Sequence, residues 1–328
     1  MSEQLLELVL NTLKIVGIGP KSRKIYSFVF LTILTILVIF ASIDRPYLKS
    51  YTHIKVVVSV LMDFIAYFFN FYTILFHRET DFFKMFSNEP KFEFRHYCVF
   101  LIVNVVFWVI VLMSNYAFTR IIILKSIVEI VIIDVEIYSQ FLFGFMIFLI
   151  LDIIKSKYRK MNQILRNYRQ ITSDEFVFLV TKIESFSFQL KNSVDEFNDI
   201  FGVPLLLIIS YSTLHFVNYI DDLFFFRFEK SKFQFLISNI SQVSLIFITN
   251  YTLIIMCDCV GKEASNLLKI AQKVKTSQGN KFVLDCLVLN FPKFSAGGFF
   301  QIKKSTIFSV LNTVSTLLIV MVQFDKDK

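Results

Sequence analysis

Seven stretches of this chain each run for about twenty residues with few or no charges, and no other feature limits its fold as tightly. They are Ile25–Ile43, Val56–Phe76, Tyr97–Thr119, Ser126–Leu151, Ile200–Ile220, Phe233–Cys257 and Ser305–Phe324. The hydrocarbon core of a bilayer is about 30 Å thick and takes about 20 apolar residues to cross as a helix, the form that satisfies its own backbone groups in lipid. Asp63 interrupts the second stretch, and Glu129, Asp134 and Glu136 crowd the first half of the fourth, leaving Ile137–Leu151 clean. Charged residues make up 18% of the chain, against about a quarter in soluble domains. Only 8 Gly and 5 Pro are present, too few for turn-rich β or linker-rich designs. The expected fold is all-α: a polytopic membrane protein with seven transmembrane helices, residues 1–328 forming one membrane domain.

Orientation follows from Lys and Arg in alternate connections. The segment before the first span and the connections after the second, fourth and sixth hold four, four, eight and eight, together 24, against 10 in the other set. Cytoplasmic flanks collect basic residues, so the amino terminus is expected in the cytoplasm and the carboxyl terminus outside, opposite to a G-protein-coupled receptor. The net charge of +8 then reflects loops beside anionic lipid, and no nucleic-acid partner is expected. Glu3 and Glu7 sit where a cationic leader would be, so no signal peptide is expected. The two longest inner connections read as ordered. Thr172 and Glu175 form a capping box, followed by Phe176, Leu179, Ile183, Phe186 and Leu190 at helical spacing. Spans four, five and six are therefore expected to continue as helices into a cytoplasmic anchor, with a pair of membrane-surface amphipathic helices as the alternative. The four cysteines make no disulfide scaffold, and Cys257 and Cys259 lack companion ligands for zinc; no cofactor or metal is expected.

Ionisable side chains inside a span cost about 2.5–3.5 kcal/mol on insertion scales and default to functional candidates. In the assigned orientation, Asp63, Tyr67, Trp108, Glu129, Asp134, Glu136, Tyr211, His215, Asn218, Tyr219, Asn239 and Gln242 fall in the outer half or near the midplane. Their convergence would make a cavity of carboxylates, amides and aromatic faces suited to a small polar or amphipathic ligand. Each also has a structural explanation: Asp63 paired with His215, or Trp108 and the tyrosines anchoring at the membrane interface. An enzyme is excluded by four scattered His and no zinc-protease, P-loop or nucleophile-elbow pattern. A transporter would show repeats or matched broken helices, yet Pro204 is the one proline inside a span. The sequons at Asn239 and Asn250 fall within span six, out of reach of glycosylation.

The carboxyl-terminal region carries a more specific pattern. Phe291-Pro-Lys-Phe-Ser-Ala-Gly-Gly-Phe-Phe300 precedes the last span, which ends with Thr316, Leu317, five apolar residues, Gln323 and Phe324. This resembles the signature of the insect gustatory receptor family, in which a Thr-Tyr pair, five apolar residues and Gln-Phe close the last helix after a Phe-rich small-residue turn; here Leu317 replaces the Tyr. The specific match covers about the last 34 residues. The resemblance implies a ligand-gated nonselective cation channel of four subunits, alike or related, in the cell membrane of sensory-neuron dendrites and opened by a small-molecule tastant. It places Gln323 and Phe324 in the outer pore, with Phe324 as the apolar constriction and Thr316 on the same pore helix. From the residues themselves, Asn312, Thr313, Ser315, Thr316 and Gln323 offer polar groups to a pore or to neighbouring helices. Asp325 would add an acidic ring at the mouth, with a frayed tail as the alternative. The related odorant receptor channels are the runner-up; a metabotropic receptor ranks below them.

Overall fold

The computed structural model describes residues 28, 29, 31–33, 35, 36, 39, 53–76, 94–121, 127–166, 173–225, 232–278 and 281–326. Its helices are α1 (His53–Phe76), α2 (Phe94–Ile121), α3 (Ile127–Arg166), α4 (Ser173–Phe225), α5 (Lys232–Gln278), α6 (Lys281–Leu289) and α7 (Lys304–Lys326). Two short strands, β1 (Ser295–Ala296) and β2 (Phe300–Gln301), pair antiparallel ahead of α7. Most of the first expected span and Thr172 of the capping box lie outside the described residues; those described within Ile25–Ile43 are helical. Among the described residues, six helices, α1 to α5 and α7, are long and apolar enough to cross a membrane. They coincide with expected spans two to seven.

Three helices overrun the bilayer. At 1.5 Å per residue, the 40, 53 and 47 residues of α3, α4 and α5 extend about 60, 80 and 70 Å, at least twice the hydrocarbon thickness. The sequence requires this change of character midway. In α3 the uncharged run ends at Asp152, and Lys155, Lys157, Arg159 and Lys160 follow within the same helix. The continuation expected of spans four, five and six is thus present.

The chain packs as two compact units. One comprises the described residues of Met1–Met146, Leu206–Tyr251 and Phe308–Lys328; the other comprises Ile147–Leu205 and Thr252–Ile307. In the first, Ala66, Phe69, Phe107, Leu142, Phe143 and Val217 are fully or almost fully buried. Its outer surface is also apolar: Val57, Val60, Leu61, Phe64 and Phe68 on α1, and Ile102, Val105, Val109, Leu112 and Met113 on α2, are all exposed. Apolar faces this continuous are at home against lipid tails.

In the second unit the core is Ile150, Ile154, Tyr158 and Met161 of α3, Leu190, Val194, Phe197 and Phe201 of α4, and Val260, Ala264 and Leu267 of α5. Its polar contacts look outward as well as inward. Arg159 Nε donates to Glu263 Oε1 at 2.8 Å, and Asn162 Nδ2 donates to the Glu263 carbonyl and Oε2 at 3.0 and 3.2 Å, stitching α3 to α5. The hairpin belongs to this unit. Its turn closes through Phe299 N–H donating to Ala296 O at 3.0 Å, with φ of 57° at Gly297 and 79° at Gly298. Positive φ at both central positions is the turn form whose twist matches a hairpin, and only glycine adopts it without strain.

Candidate functional site

In the first unit, polar side chains that are costly in lipid have found one another. On α4, Tyr211, His215 and Tyr219 are spaced one helical turn apart and lie on one face. The His215 ring sits between the other two, at centroid distances of 4.3 Å from Tyr211 and 5.3 Å from Tyr219. All three are buried. Glu136 of α3, 4% exposed, and Asp63 of α1 lie within electrostatic reach of Tyr211, as does Tyr219. The Tyr219 hydroxyl donates to Gln242 Oε1 of α5, and Gln242 Nε2 donates to the fully buried Ser114 hydroxyl of α2. A polar chain therefore crosses from α4 through α5 to α2, beside two carboxyl groups.

Other expected members make contacts of their own. Asp134 Oδ2 accepts from Asn115 Nδ2 at 2.7 Å, joining α3 to α2. Trp108, 39% exposed, lays its ring against Tyr138 at 4.9 Å and meets the Phe107 ring edge-on at 5.6 Å. The Tyr67 hydroxyl bonds the Thr35 hydroxyl at 2.9 Å. The side chains of Asn239 and Glu129 lie outside those described. The structure also recruits uncharged groups that attracted no notice in the sequence: Ser114, Asn115, Asn104 bonded to Tyr138 at 3.0 Å, and Asn70 bonded to Ser139 at 2.6 Å. A search for Ser and Asn inside spans, where water offers no substitute partner, would have found them.

The chemistry of the cluster follows from its side chains. Carboxyl groups, an imidazole, an amide and aromatic faces suit a small polar or amphipathic molecule. No group of three or more His, Cys, Asp or Glu that could hold a metal occurs among the described residues.

α7 presents a different arrangement. Ser305, Ser309, Asn312, Thr316, Ile319 and Gln323 recur every three or four residues and are all exposed, while Ile307, Val314 and Met321 on the other face are buried. The hydroxyls of Thr313, Ser315 and Thr316 donate to carbonyls one turn back at 3.0 Å each. The Asn312 and Gln323 amides have no side-chain partner among the described residues. α7 continues as helix through Lys326, but the side chains of Phe324 and Asp325 lie outside those described.

Residues 21–328 match the family model described as 7tm Chemosensory receptor. No curated protein sequence matches. Among solved structures, the insect olfactory receptor OR5 from Machilis hrabei in complex with eugenol is similar across 98% of both chains, with 14% identity and a TM-score of 0.74. The structure of OR5 described without eugenol is similar over the same shares at 14% identity and a TM-score of 0.65. These likenesses concern the fold, a polytopic helical membrane architecture.

Proposed function

The chain belongs to the 7tm chemosensory receptor family, a family of receptors and not of enzymes, and from that membership we propose that it is a ligand-gated nonselective cation channel. Four copies, or this chain with related subunits, surround a pore lined by α7. The observation that carries this reading is the exposed stripe of Ser305, Ser309, Asn312, Thr316 and Gln323 on a helix otherwise apolar enough for lipid. Polar groups are costly against hydrocarbon, whereas a water-filled pore or neighbouring copies of the same helix accept them. A fourfold axis along the stripe supplies both. Phe324 then forms an apolar ring that closes by dewetting, Gln323 faces ions beside it, and Asp325 adds an acidic ring at the outer mouth.

The ligand acts at the cluster of Asp63, Glu136, Tyr211, His215, Tyr219 and Gln242. Ligand that binds better when α4 and α5 separate shifts the population toward that state, and α7 follows, widening the Phe324 ring. We read the chain as a taste receptor of the cell membrane in sensory-neuron dendrites because Thr316, Gln323 and Phe324 keep the gustatory spacing. Odorant receptors share the fold, so the motif carries that choice alone.

Expression of the chain in cells, with a panel of tastants and odorants including eugenol applied under G-protein inhibition, tests this. The expected result is an inward cation current that survives the inhibitor. A response abolished by the inhibitor would overturn the channel reading.

A further inference from the structure

The root of α7 is held by residues that neither the ligand cluster nor the pore stripe includes. Asn198 of α4 grips the strand that leads into the turn from both sides. Its Nδ2 donates to the Lys293 carbonyl at 2.7 Å, and its Oδ1 accepts from Ser295 N–H at 3.0 Å. One side-chain amide thus satisfies two backbone groups, one in β1 and one two residues before it, as a neighbouring strand would. One turn further along α4, Gly202 lets the turn approach backbone to backbone. A Cβ there would lie 2.9 Å from Gly297 N and 3.3 Å from Gly297 Cα and Ser295 O, all of them main-chain atoms that cannot swing aside. Phe197 seals the contact, meeting the buried Phe294 ring edge-on at 5.4 Å.

The hairpin then passes its position on to α7. Ile302 N–H donates to Phe294 O at 2.9 Å, Thr306 N–H donates to Lys303 O at 2.8 Å, and Lys303 N–H donates to Thr306 Oγ1 at 3.1 Å. From α5, the Asp258 carboxylate accepts from Lys304 N–H at 3.5 Å while pairing with Lys262 at 2.8 Å. Two helices therefore hold the first turn of α7. α4 is continuous from Gly202 to Tyr211, His215 and Tyr219, a rise of about 14 to 26 Å at 1.5 Å per residue. Pro204 lies between them, lacking the N–H that would bond the preceding turn.

We infer that Asn198 and Gly202 are positioning residues for the channel: they fix where α7 begins relative to the helix that carries the ligand cluster, so that α4 and the pore helix share one mechanical reference. This rests on α7 lining the pore, as proposed above. Small changes at such a shared contact alter the balance between conducting and closed states without touching either ligand or ion.

The test uses the purified full-length protein in lipid, without ligand, and reads two quantities. Hydrogen exchange of peptides covering residues 293–303 reports the grip, and single-channel recording in planar bilayers reports spontaneous open probability and unitary conductance. Gly202→Ala and Asn198→Ala are expected to raise exchange across 293–303 and to change open probability by about threefold or more, with conductance unchanged. Asn198→Asp keeps the acceptor for Ser295 N–H and loses the donor to Lys293 O. It guards against an alanine variant that fails to fold and should fall between wild type and Asn198→Ala. Gly261→Ala, where a Cβ meets nothing within 4 Å, should match wild type in both readings. Loosened exchange with wild-type open probability would overturn the positioning role, and unchanged exchange in both Gly202→Ala and Asn198→Ala would overturn the grip itself. A wild-type bilayer that stays silent both without ligand and under the panel of tastants and odorants would sink the channel reading, and the positioning role with it.

Discussion

At the scale of single residues, the Tyr219–Gln242–Ser114 chain shows why polar side chains persist in apolar spans. The Tyr219 and Ser114 side chains are buried, so a hydrogen-bond partner lost there carries a desolvation cost. Gln242→Leu strands the Tyr219 and Ser114 hydroxyls, and should destabilise the protein by about 1–3 kcal/mol, read as a lower melting temperature in lipid or detergent. Tyr219→Phe removes one donor and leaves the Gln242–Ser114 bond intact, so its effect should be smaller. Were Gln242→Leu to melt with wild type, the chain would contribute nothing. His215 invites a functional reading, since it is packed between two tyrosine rings on α4. His215→Ala is expected to shift agonist dose–response curves with surface expression retained, whereas Asp134→Ala and Asn115→Ala should act as one unit, their combined effect falling short of the sum. Unchanged curves for His215→Ala would remove the cluster as a ligand site.

At the scale of elements, sequence reading succeeded where one local property decides the outcome. Twenty uncharged residues have few alternatives to a membrane helix. It failed where partners meet from distant parts of the chain. Nothing in the periodicity of α2 announced that Ser114 would meet Gln242, 128 positions away. Nothing marked Gly202 as the seat of a turn, because a glycine within a helix reads as a mild defect until the backbone opposite it is known. Nor did the sequence announce that Asp134 of α3 would accept a hydrogen bond from Asn115 of α2. The element that feeds α7 can be tested directly. Gly298 has φ of 79° and open space around its missing Cβ, so Gly298→Ala meets no clash and suffers only backbone strain. That cost should be about 1–2 kcal/mol, with Gly261→Ala neutral or stabilising by up to about 1 kcal/mol. Thermal unfolding of the two variants side by side checks both signs, and a Gly298→Ala protein as stable as wild type would argue against the turn.

At the scale of the whole molecule, the deciding feature is how charge divides along the chain. Ile147–Leu205 and Thr252–Ile307 together hold 16 of the 34 Lys and Arg but only 10 of the 26 acids, whereas the rest of the chain, nearly twice as long, holds 18 and 16. The basic residues also stand where they bear on topology, for Lys155, Lys157, Arg159 and Lys160 follow directly on the apolar run that ends at Leu151. Flanking Lys and Arg this close to a span orient it, because anionic lipid and the insertion machinery favour them on the cytoplasmic side. The positive-inside bias therefore predicts the extended halves of α3, α4 and α5 in the cytoplasm and the Gln323 end of α7 outside. The placement of Phe324 as an outer constriction and of Asp325 at the mouth depends on that sign. With Asp325 at an outer mouth shared by four copies, Asp325→Asn should lower single-channel conductance and weaken block by external divalent cations, both of which depend on local cation concentration. The orientation has its own measurement. A tag added after Lys328 should be labelled on intact cells, and one placed before Met1 only after permeabilisation. The opposite pattern would put the acidic ring in the cytoplasm and leave external block indifferent to Asp325.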